Sequence, residues 1–426
     1  GEREDVYQAL SALPGWGERA QRIRQATHWS RGRLSPAGVK ALYGGTVPMS
    51  ATRLDLYQSC HFSHFMRFGL EAKPRQRAKF RPSDYGTFIH AVLEEVLGQG
   101  LSLSGGAKAL ADDPVLRHTL TVQAVDQYEA EALSGLEEET ARFRYTFQRM
   151  KQTAQTVVDS VCEELAVSDF TPAYLELGFG RGQSMPPLEV EKGVRLRLTG
   201  FVDRVDNWVK DGKRYLRVVD YKTGHKEFRL SEVVEGINLQ MLIYILSICQ
   251  NGGPHIGDKP AVPLREDSPI QPAGVLYLPA KLPVLKVDRH AGADELEQED
   301  VRAMRMNGLL LDHPAIVRAM EADAAGLFIP ARLTAKEEWA RGSSVASLEQ
   351  FGQLKKRVET LLTDMAETLR SGDIAAIPAC GAADACAYCD YAAVCGFEAG
   401  QPVRFIAQED AAAVWKELAA QEESHE

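Results

Sequence analysis

An aspartate and a lysine two residues apart close the stretch Val218–Gly224, VVDYKTG. The β-branched residues leading into Asp220 read as a buried strand, and Thr223-Gly224 as its end. Alternation along a strand sends Asp220 and Lys222 to one face, so a carboxylate and an ammonium meet at a strand terminus. Upstream, LTGFVDRVDNWVKDGKRYLRVVDYKTG holds two alternating runs around KDGK, and Asp-Gly in that setting marks a two-residue type I′ hairpin. With Asp211 and Gly212 as the turn, Lys210 faces Lys213, and the same register carried outward brings Asp203 opposite Asp220. Like charges with Cβ atoms roughly 5 Å apart destabilise a sheet unless something compensates. Lys222 offers one charge, and a divalent cation offers more. Asp203, Asp220 and Lys222, with backbone carbonyls nearby, suit a hard ion such as Mg²⁺ or Mn²⁺, which polarises a phosphodiester and lowers the pKa of bound water. Lys222 would position the attacking water or steady the developing charge. The plain alternative is a buried ion-pair cluster. The same register pairs Asp206 with Arg217 and Trp208 with Tyr215 on the other face, which assigns those residues ordinary cross-strand roles.

Two helical patterns could line such a centre. In YGTFIHAVLEEVL, Gly86 and His90 lie four apart and share a face, the glycine leaving room for a close approach. In QMLIY, Gln240 and Tyr244 share a face of the helix that follows the strand pair. Each also has a bland reading, as a helix-packing histidine and as the polar edge of a helix.

Seven cysteines are an odd number, and four of them crowd into CGAADACAYCDYAAVC, Cys380 to Cys395. No secretory signal is present, so the crowding points to metal ligation before disulfides. Cys386-x2-Cys389-x5-Cys395 supplies three thiolates, and a four-thiolate zinc or iron-sulfur site needs a fourth. Spacing nominates Cys380, only six residues upstream; the rival is Cys60, in YQSCHFSHF, where His61 and His64 could also complete a zinc site. Cys162 and Cys249 sit in apolar helical contexts and read as core residues.

The elements that must hold these groups follow from the patterning. The first 43 residues read as polar helices broken at Pro14-Gly15 and at LSPAG, and YGGTVP as a linker. Helices are expected over Ser50–Gly69, around GTFIHAVLEEVL and from Leu116 to about Leu165; strands over Ala173–Lys222; then a helix INLQMLIYILSIC, a Pro/Gly-rich loop Asn251–Pro272 and a strand GVLYLPA. Beyond Asp300 the chain reads as mostly helical up to the cysteines, with an acidic, frayed helix at its end. The mixed order predicts an α/β fold with a small central mixed sheet flanked by helices. A net charge of −10 excludes a surface that is wholly a nucleic-acid platform, though Arg67–Arg81 carries six basic residues against one acid. The apolar run Leu239–Cys249 is too short to cross a bilayer, and the start, GEREDVYQAL, lacks both a signal-peptide pattern and an initiator methionine. The expectation is a cytoplasmic piece of a longer protein, without membrane partners.

Gly86-x3-His90, Gly200-x2-Asp203, Asp220-x-Lys222 and Gln240-x3-Tyr244, in this order, resemble the RecB-type branch of the PD-(D/E)XK nucleases. The resemblance implies that His90, Asp203, Asp220 and the carbonyl of Val219 bind the catalytic metal, that Lys222 is catalytic, and that Gln240 and Tyr244 support the site and DNA. A distant first cysteine with C-x2-C-x5-C after the nuclease motifs, together with YQSCHFSHFMRFGL, MNGLLLD and CAYCDYAAVCGFE, resembles the iron-staple nuclease domain of the AddB family. It implies a [4Fe-4S] cluster on Cys60, Cys386, Cys389 and Cys395, structural in role, with Cys380 a bystander. It also implies a helical lead-in over 1–45, a nuclease domain over 46–400 and a helical tail over 401–426. The function so implied is cutting of the 5′-terminated single strand during break resection, beside an AddA-like helicase-nuclease partner, with Arg67–Arg81 as a DNA-facing loop. A stand-alone iron-sulfur exonuclease of the CRISPR-adaptation kind and a non-catalytic DNA-binding module are the alternatives. The long insert Asp300–Gly372 argues against the first, and the intact His90, Asp203, Asp220 and Lys222 against the second.

Overall fold

The computed structural model describes residues 2–27, 32–73, 82–132, 141–180, 182–191, 195–224, 226–251, 270–282, 292–398 and 400–423. Most of the basic segment (residues 74–81) and of the Pro/Gly-rich loop (residues 252–269) lies outside them.

A six-stranded mixed sheet organises the chain. Its strands are β2 (Thr171–Phe179), β5 (Gly200–Lys210), β6 (Lys213–Lys222), β7 (Ile270–Pro279), β8 (Asn307–Leu311) and β9 (Val345–Ala346), in the order β2-β5-β6-β7-β8-β9. The β5–β6 hairpin has the expected register, with Lys210 opposite Lys213, Trp208 opposite Tyr215 and Asp206 opposite Arg217. Its turn places Asp211 at φ 51° and Gly212 at φ 72°, the two left-handed positions of a type I′ turn. β7 runs parallel to β6, so the chain must cross over between them, and the helices Leu230–Val234 and Gln240–Asn251 lie on that crossover. A smaller sheet joins β1 (Thr46–Met49), β4 (Arg195–Leu198) and β3 (Leu188–Glu191), and β10 (Ala379–Gly381) pairs with β11 (Arg404–Ile406).

Three helices cover the sheets for readable reasons. In Ala141–Ala166, Phe147, Met150, Ala154, Val157, Val158, Val161 and Leu165 are buried, one stripe at helical spacing. In Leu348–Arg370 the buried set is Phe351, Leu354, Val358, Leu361, Leu362, Met365, Ala366 and Leu369, and Ser347 with Gln350 forms a capping box at its start. The helix Pro82–Leu101 buries Phe88, Ile89, Val92, Leu93, Val96 and Leu97, which leaves His90 free to point along the sheet end. Among the described residues, no helix is long and apolar enough to cross a membrane.

Three expectations need correction. The expected linker YGGTVP contains β1, whose Val47 and Met49 are fully buried and pair in parallel with β4. Only four residues long, it becomes a strand through a partner about 150 residues away, which local patterning cannot show. The stretch expected to be helical beyond Asp300 contributes β8 and β9 to the main sheet; NGLLL is an apolar run too short for its period to distinguish helix from strand. The terminal helix Ala411–Glu423 is docked, with Val414 and Leu418 buried, instead of fraying.

Candidate active site

The hairpin ladder runs from its turn to the Arg204–Val219 pair, and Asp203 and Asp220 follow at its open end, both buried. Across the other edge of β5, the pairs Leu175–Arg204 and Leu177–Val202 set Glu176 opposite Asp203. Three acids thus stand on three neighbouring strands. Glu176 has φ 45°, a conformation that non-glycine residues adopt at a strain of order 1–3 kcal/mol when the surroundings impose it. Sequence reading missed it, because a lone acid in AYLELGF gains meaning only through the pairing of β2 with β5.

His90 joins this row from its helix. Its Nδ1 lies 3.5 Å from Glu176 Oε1 and 3.6 Å from Asp203 Oδ1, and its Nε2 lies 3.0 Å from the carbonyl oxygen of Tyr221. A carbonyl oxygen only accepts, so Nε2 carries a proton and Nδ1 is the atom turned to the acids. Candidate ligand atoms of His90, Glu176 and Asp203 all lie within 4.8 Å of one another. The carbonyl that touches this group belongs to Tyr221, two residues past the Val219 expected from the resemblance. Asp203 Oδ2 accepts the Tyr221 amide at 2.7 Å, which locks the two strand ends together.

Lys222 Nζ sits 2.5 Å from Asp220 Oδ2 and 3.3 Å from Gln240 Oε1. The Gln240 amide nitrogen donates to Asp220 Oδ1 at 2.9 Å and to the Tyr244 hydroxyl at 3.1 Å. One side chain therefore fixes the acid and the lysine together, and Tyr244 backs it. Gly200 has a reason to be glycine, since a Cβ there would stand 3.1 Å from the Tyr244 ring and hydroxyl. Gly86 has no such need, as a Cβ would meet only Thr223 Oγ1 at 3.6 Å, an ordinary contact.

Electrostatics point to a deficit of positive charge. Burial, and then the Asp220 carboxylate, push Asp203 up to about 8. Asp220 is raised by burial as well, with Lys222 opposing. Burial disfavours the charged form of His90, but Glu176 and Asp203 outweigh it and hold its pKa up at about 9. Oxygen-rich, partly exposed on the Glu176 and His90 side and crowded with acids, the group fits a hard divalent cation.

On the other face of the hairpin, Arg204 and Arg217 each bond to both Asp206 and Glu164, and all four side chains are essentially unexposed. Asp206 is structural, as its register implied; its partner Glu164, from the helix Ala141–Ala166, was not foreseen.

The cysteines converge from both ends of the chain. Cys60, at the start of the turn His61–His64, is buried with Phe62 and Tyr391, and Cys389 and Cys395 pack against that cluster. Tyr391 donates its hydroxyl to the Ala72 carbonyl at 2.7 Å. Burial pushes the Cys60 thiol up, backbone amides of Ser63 and Phe62 oppose, and Cys395 and Cys389 add to the rise. Cys386 is raised by burial, then Cys389, with Cys395 ahead of Cys380 among its other neighbours. Cys380 lies in β10 opposite Phe405. Thiols are the donors that soft metals and iron-sulfur clusters take, but among the described residues no three cysteine sulfurs lie within 4.8 Å of one another, as the ligand atoms of His90, Glu176 and Asp203 do. His61 Nδ1 meets Asp373 at 3.1 Å and His64 Nε2 accepts from Arg53 at 3.1 Å, so each ring is tied to another partner. Cys162 is core and Cys249 packs against it, as expected.

Comparison with known proteins gives an independent view. A family profile described as the PD-(D/E)XK nuclease superfamily matches residues 48–396. The chain is 33% identical over 401 residues to a Clostridium novyi protein named as the B-type subunit of an ATP-dependent helicase/deoxyribonuclease, covering 92% of this chain and 34% of that protein. It is 31% identical over 432 residues to the protein of that name from Thermoanaerobacter sp. (97% and 36%), and 30% over 434 residues to that of Symbiobacterium thermophilum (98% and 36%). The chain spans about a third of the length of these curated relatives.

Proposed function

The chain belongs to the PD-(D/E)XK nuclease superfamily, and from that membership we propose that it is the metal-dependent DNA-cutting domain of an AddB-like subunit. One juxtaposition carries the reading: His90, Glu176 and Asp203 within ligand distance of one another, beside Asp220 and Lys222 at the end of one hairpin. The relatives' shared name, that of a helicase and deoxyribonuclease component, supports a place in a helicase-nuclease complex with an AddA-like partner. The substrate is the 5′-terminated single strand exposed during resection of broken DNA. The net charge of −10 suits a domain whose DNA path is shared with other parts of such an assembly.

His90, Glu176, Asp203 and Asp220, with the Tyr221 carbonyl at hand, would hold Mg²⁺ or Mn²⁺. When bound, such an ion supplies Lewis-acid polarisation of the phosphodiester and a more acidic water. The Lys222 ammonium, restrained by Asp220 and Gln240, stabilises negative charge developing on the phosphate and orients the nucleophile. Tyr244 and Gly200 keep Gln240 in place. Cys60, Cys386, Cys389 and Cys395 would hold a [4Fe-4S] cluster, which fastens the two ends of the domain and takes no part in the chemistry.

The test is cleavage of end-labelled single-stranded DNA by anaerobically purified protein with Mg²⁺ or Mn²⁺, against EDTA and against Asp203→Asn. Cutting that requires both the metal and Asp203 supports the proposal. Equal activity in EDTA, or in the variant, refutes it.

Metal affinity should depend on pH in a fixed direction. His90, at Nδ1, and Asp203 are both raised above their ordinary values and share the effect, so the metal-free pair holds at least one extra proton at pH 7. Ligation needs both groups deprotonated, so binding at pH 7 must release protons and tighten as pH rises toward 9. Isothermal titration at pH 7 and pH 8 should give affinities differing by roughly tenfold or more per unit, with proton release visible between buffers of different ionisation enthalpy. A pH-independent affinity would contradict these protonation states.

A further inference from the structure

The helix Gln240–Asn251 enters on Ile237, Asn238 and Leu239, and its entry lacks a capping side chain of its own. Leu239 has no acceptor. Asn238 is in the left-handed region at φ 61°, and its side chain is engaged elsewhere, accepting from Lys226 and donating to Glu232. Amides entering a helix need acceptors when water is excluded. The acceptor here comes from another helix. Asp55, in Ala51–Ser59, takes the Asn238 amide on Oδ1 at 3.0 Å, and the Leu239 amide also bonds to this carboxylate. The Lys226 ammonium lies close enough to balance its charge.

The segment before this entry is fastened in the same direction. Arg357 Nε donates to the Val234 carbonyl at 2.8 Å, and Arg404 Nη1 to the Glu235 carbonyl at 2.8 Å. Gly236, at φ 84°, leaves room for Gln58, whose Cδ would be 3.0 Å from a Cβ. Arg404 also donates to the Gln58 carbonyl, so the helix that ends at Cys60 and the chain after the last cysteine grip one short segment. That segment delivers Gln240, the residue that holds Asp220 and Lys222 together.

We propose that Asp55 is a positioning residue for the nuclease centre: its carboxylate anchors, from a separate helix, the two backbone amides of Asn238 and Leu239 that lead into the helix whose first residue sets Asp220 and Lys222. The proposal rests on the nuclease reading above for its effect on rate, and on hydrogen bonding alone for its effect on the helix. From the helix Ala51–Ser59, Asp55 thereby governs how firmly the lysine is held, and its charge also reaches Lys222. Because the anchor acts by accepting amide protons, asparagine, which keeps one acceptor oxygen, should replace aspartate and alanine should not.

The experiment uses the full-length protein as wild type, Asp55→Ala and Asp55→Asn, with Lys222→Ala as the inactive control. Two quantities are read: hydrogen exchange of the peptide covering Asn238–Tyr244, and kcat and KM on single-stranded DNA. In Asp55→Ala, exchange should quicken roughly five- to tenfold, as expected for a lost hydrogen-bond anchor. Its kcat should fall by about the same factor, with KM within about twofold, because the lesion loosens Lys222 and leaves DNA contacts alone. Asp55→Asn should restore both. Unchanged exchange in Asp55→Ala overturns the proposal. So does an Asp55→Asn variant whose exchange or kcat departs from wild type by about fivefold or more, which would make the charge facing Lys226 and Lys222 the essential feature; this comparison with wild type decides even if Asp55→Ala fails to fold. A wild type that cuts no better than Lys222→Ala would instead refute the nuclease reading, and the exchange result would still judge the anchor.

Discussion

Lys222→Ala should slow cleavage of single-stranded DNA by roughly 10²- to 10⁴-fold, the range over which positioned acid-base and charge-stabilising groups act. The side chain is about a quarter exposed, at 26%, and has Asp220 and Gln240 as anchors, so its removal opens no core cavity. Divalent-metal affinity should not weaken, and should strengthen if anything, because the ammonium and the ion compete for Asp220. Asp220→Asn is the contrasting case and should lower both rate and metal affinity. Single-turnover rates with excess enzyme, paired with calorimetric metal binding, separate the two patterns. If Lys222→Ala retained activity within about tenfold, the assignment of this lysine to the reacting phosphate would be wrong.

Glu164→Ala should cost about 3–5 kcal/mol of stability, the scale for removing one partner from a buried ion cluster. Glu164 bridges Arg204 and Arg217, so its loss leaves two buried guanidinium groups facing Asp206 alone. Replacing all four by apolar residues could be neutral, since burying charges is itself costly. It is the half-broken network that fails. With typical domain stabilities of 5–15 kcal/mol, such a loss moves a urea midpoint far enough to be unmistakable; a shift worth under about 1 kcal/mol would show the network to be slack. The carboxyl of Glu164 resists the raising effect of burial because Arg217 and Arg204 hold it below its usual range. A lowered folded-state pKa contributes stability that is complete above the unfolded value, about 4.3 for glutamate, and is lost as pH falls through the folded value. Stability of the wild type should therefore drop in acid more steeply than that of Glu164→Gln.

What could be read without coordinates was local. The KDGK turn fixed a register, and that register delivered Asp203 to Asp220 and Asp206 to Arg217, because hairpin pairing depends only on a two-residue turn and a period of two. Helical spacing put Gly86 with His90, and Gln240 with Tyr244, on shared faces, and the family resemblance gave them their place at the centre. What escaped was non-local. Glu176 becomes a member of the centre only when β2 pairs with β5, and Glu164 only when its helix lies across the far side of that hairpin. Asp55 reads as an ordinary helix residue until Asn238 is placed beside it. Short strands such as β1 and β8 carry too few residues to show a period, and their partners lie elsewhere in the chain.

The contact of Cys60 and Phe62 with Tyr391, Cys389 and Cys395 spans more than 300 residues of chain. During synthesis, at roughly 5–20 residues per second, the helix ahead of Cys60 emerges on the order of 15–70 s before the segment that covers it. Through that interval the Cys60 thiol and the faces of Phe62 and Tyr57 lack the C-terminal half of their surroundings, while hairpins such as β5–β6 close in microseconds once made. Order of synthesis and order of assembly are thus opposed across this domain: Cys60 is enclosed only by residues made more than 300 positions later, and Arg404, which ties Gln58 to Glu235, joins them only after both partners have long been made.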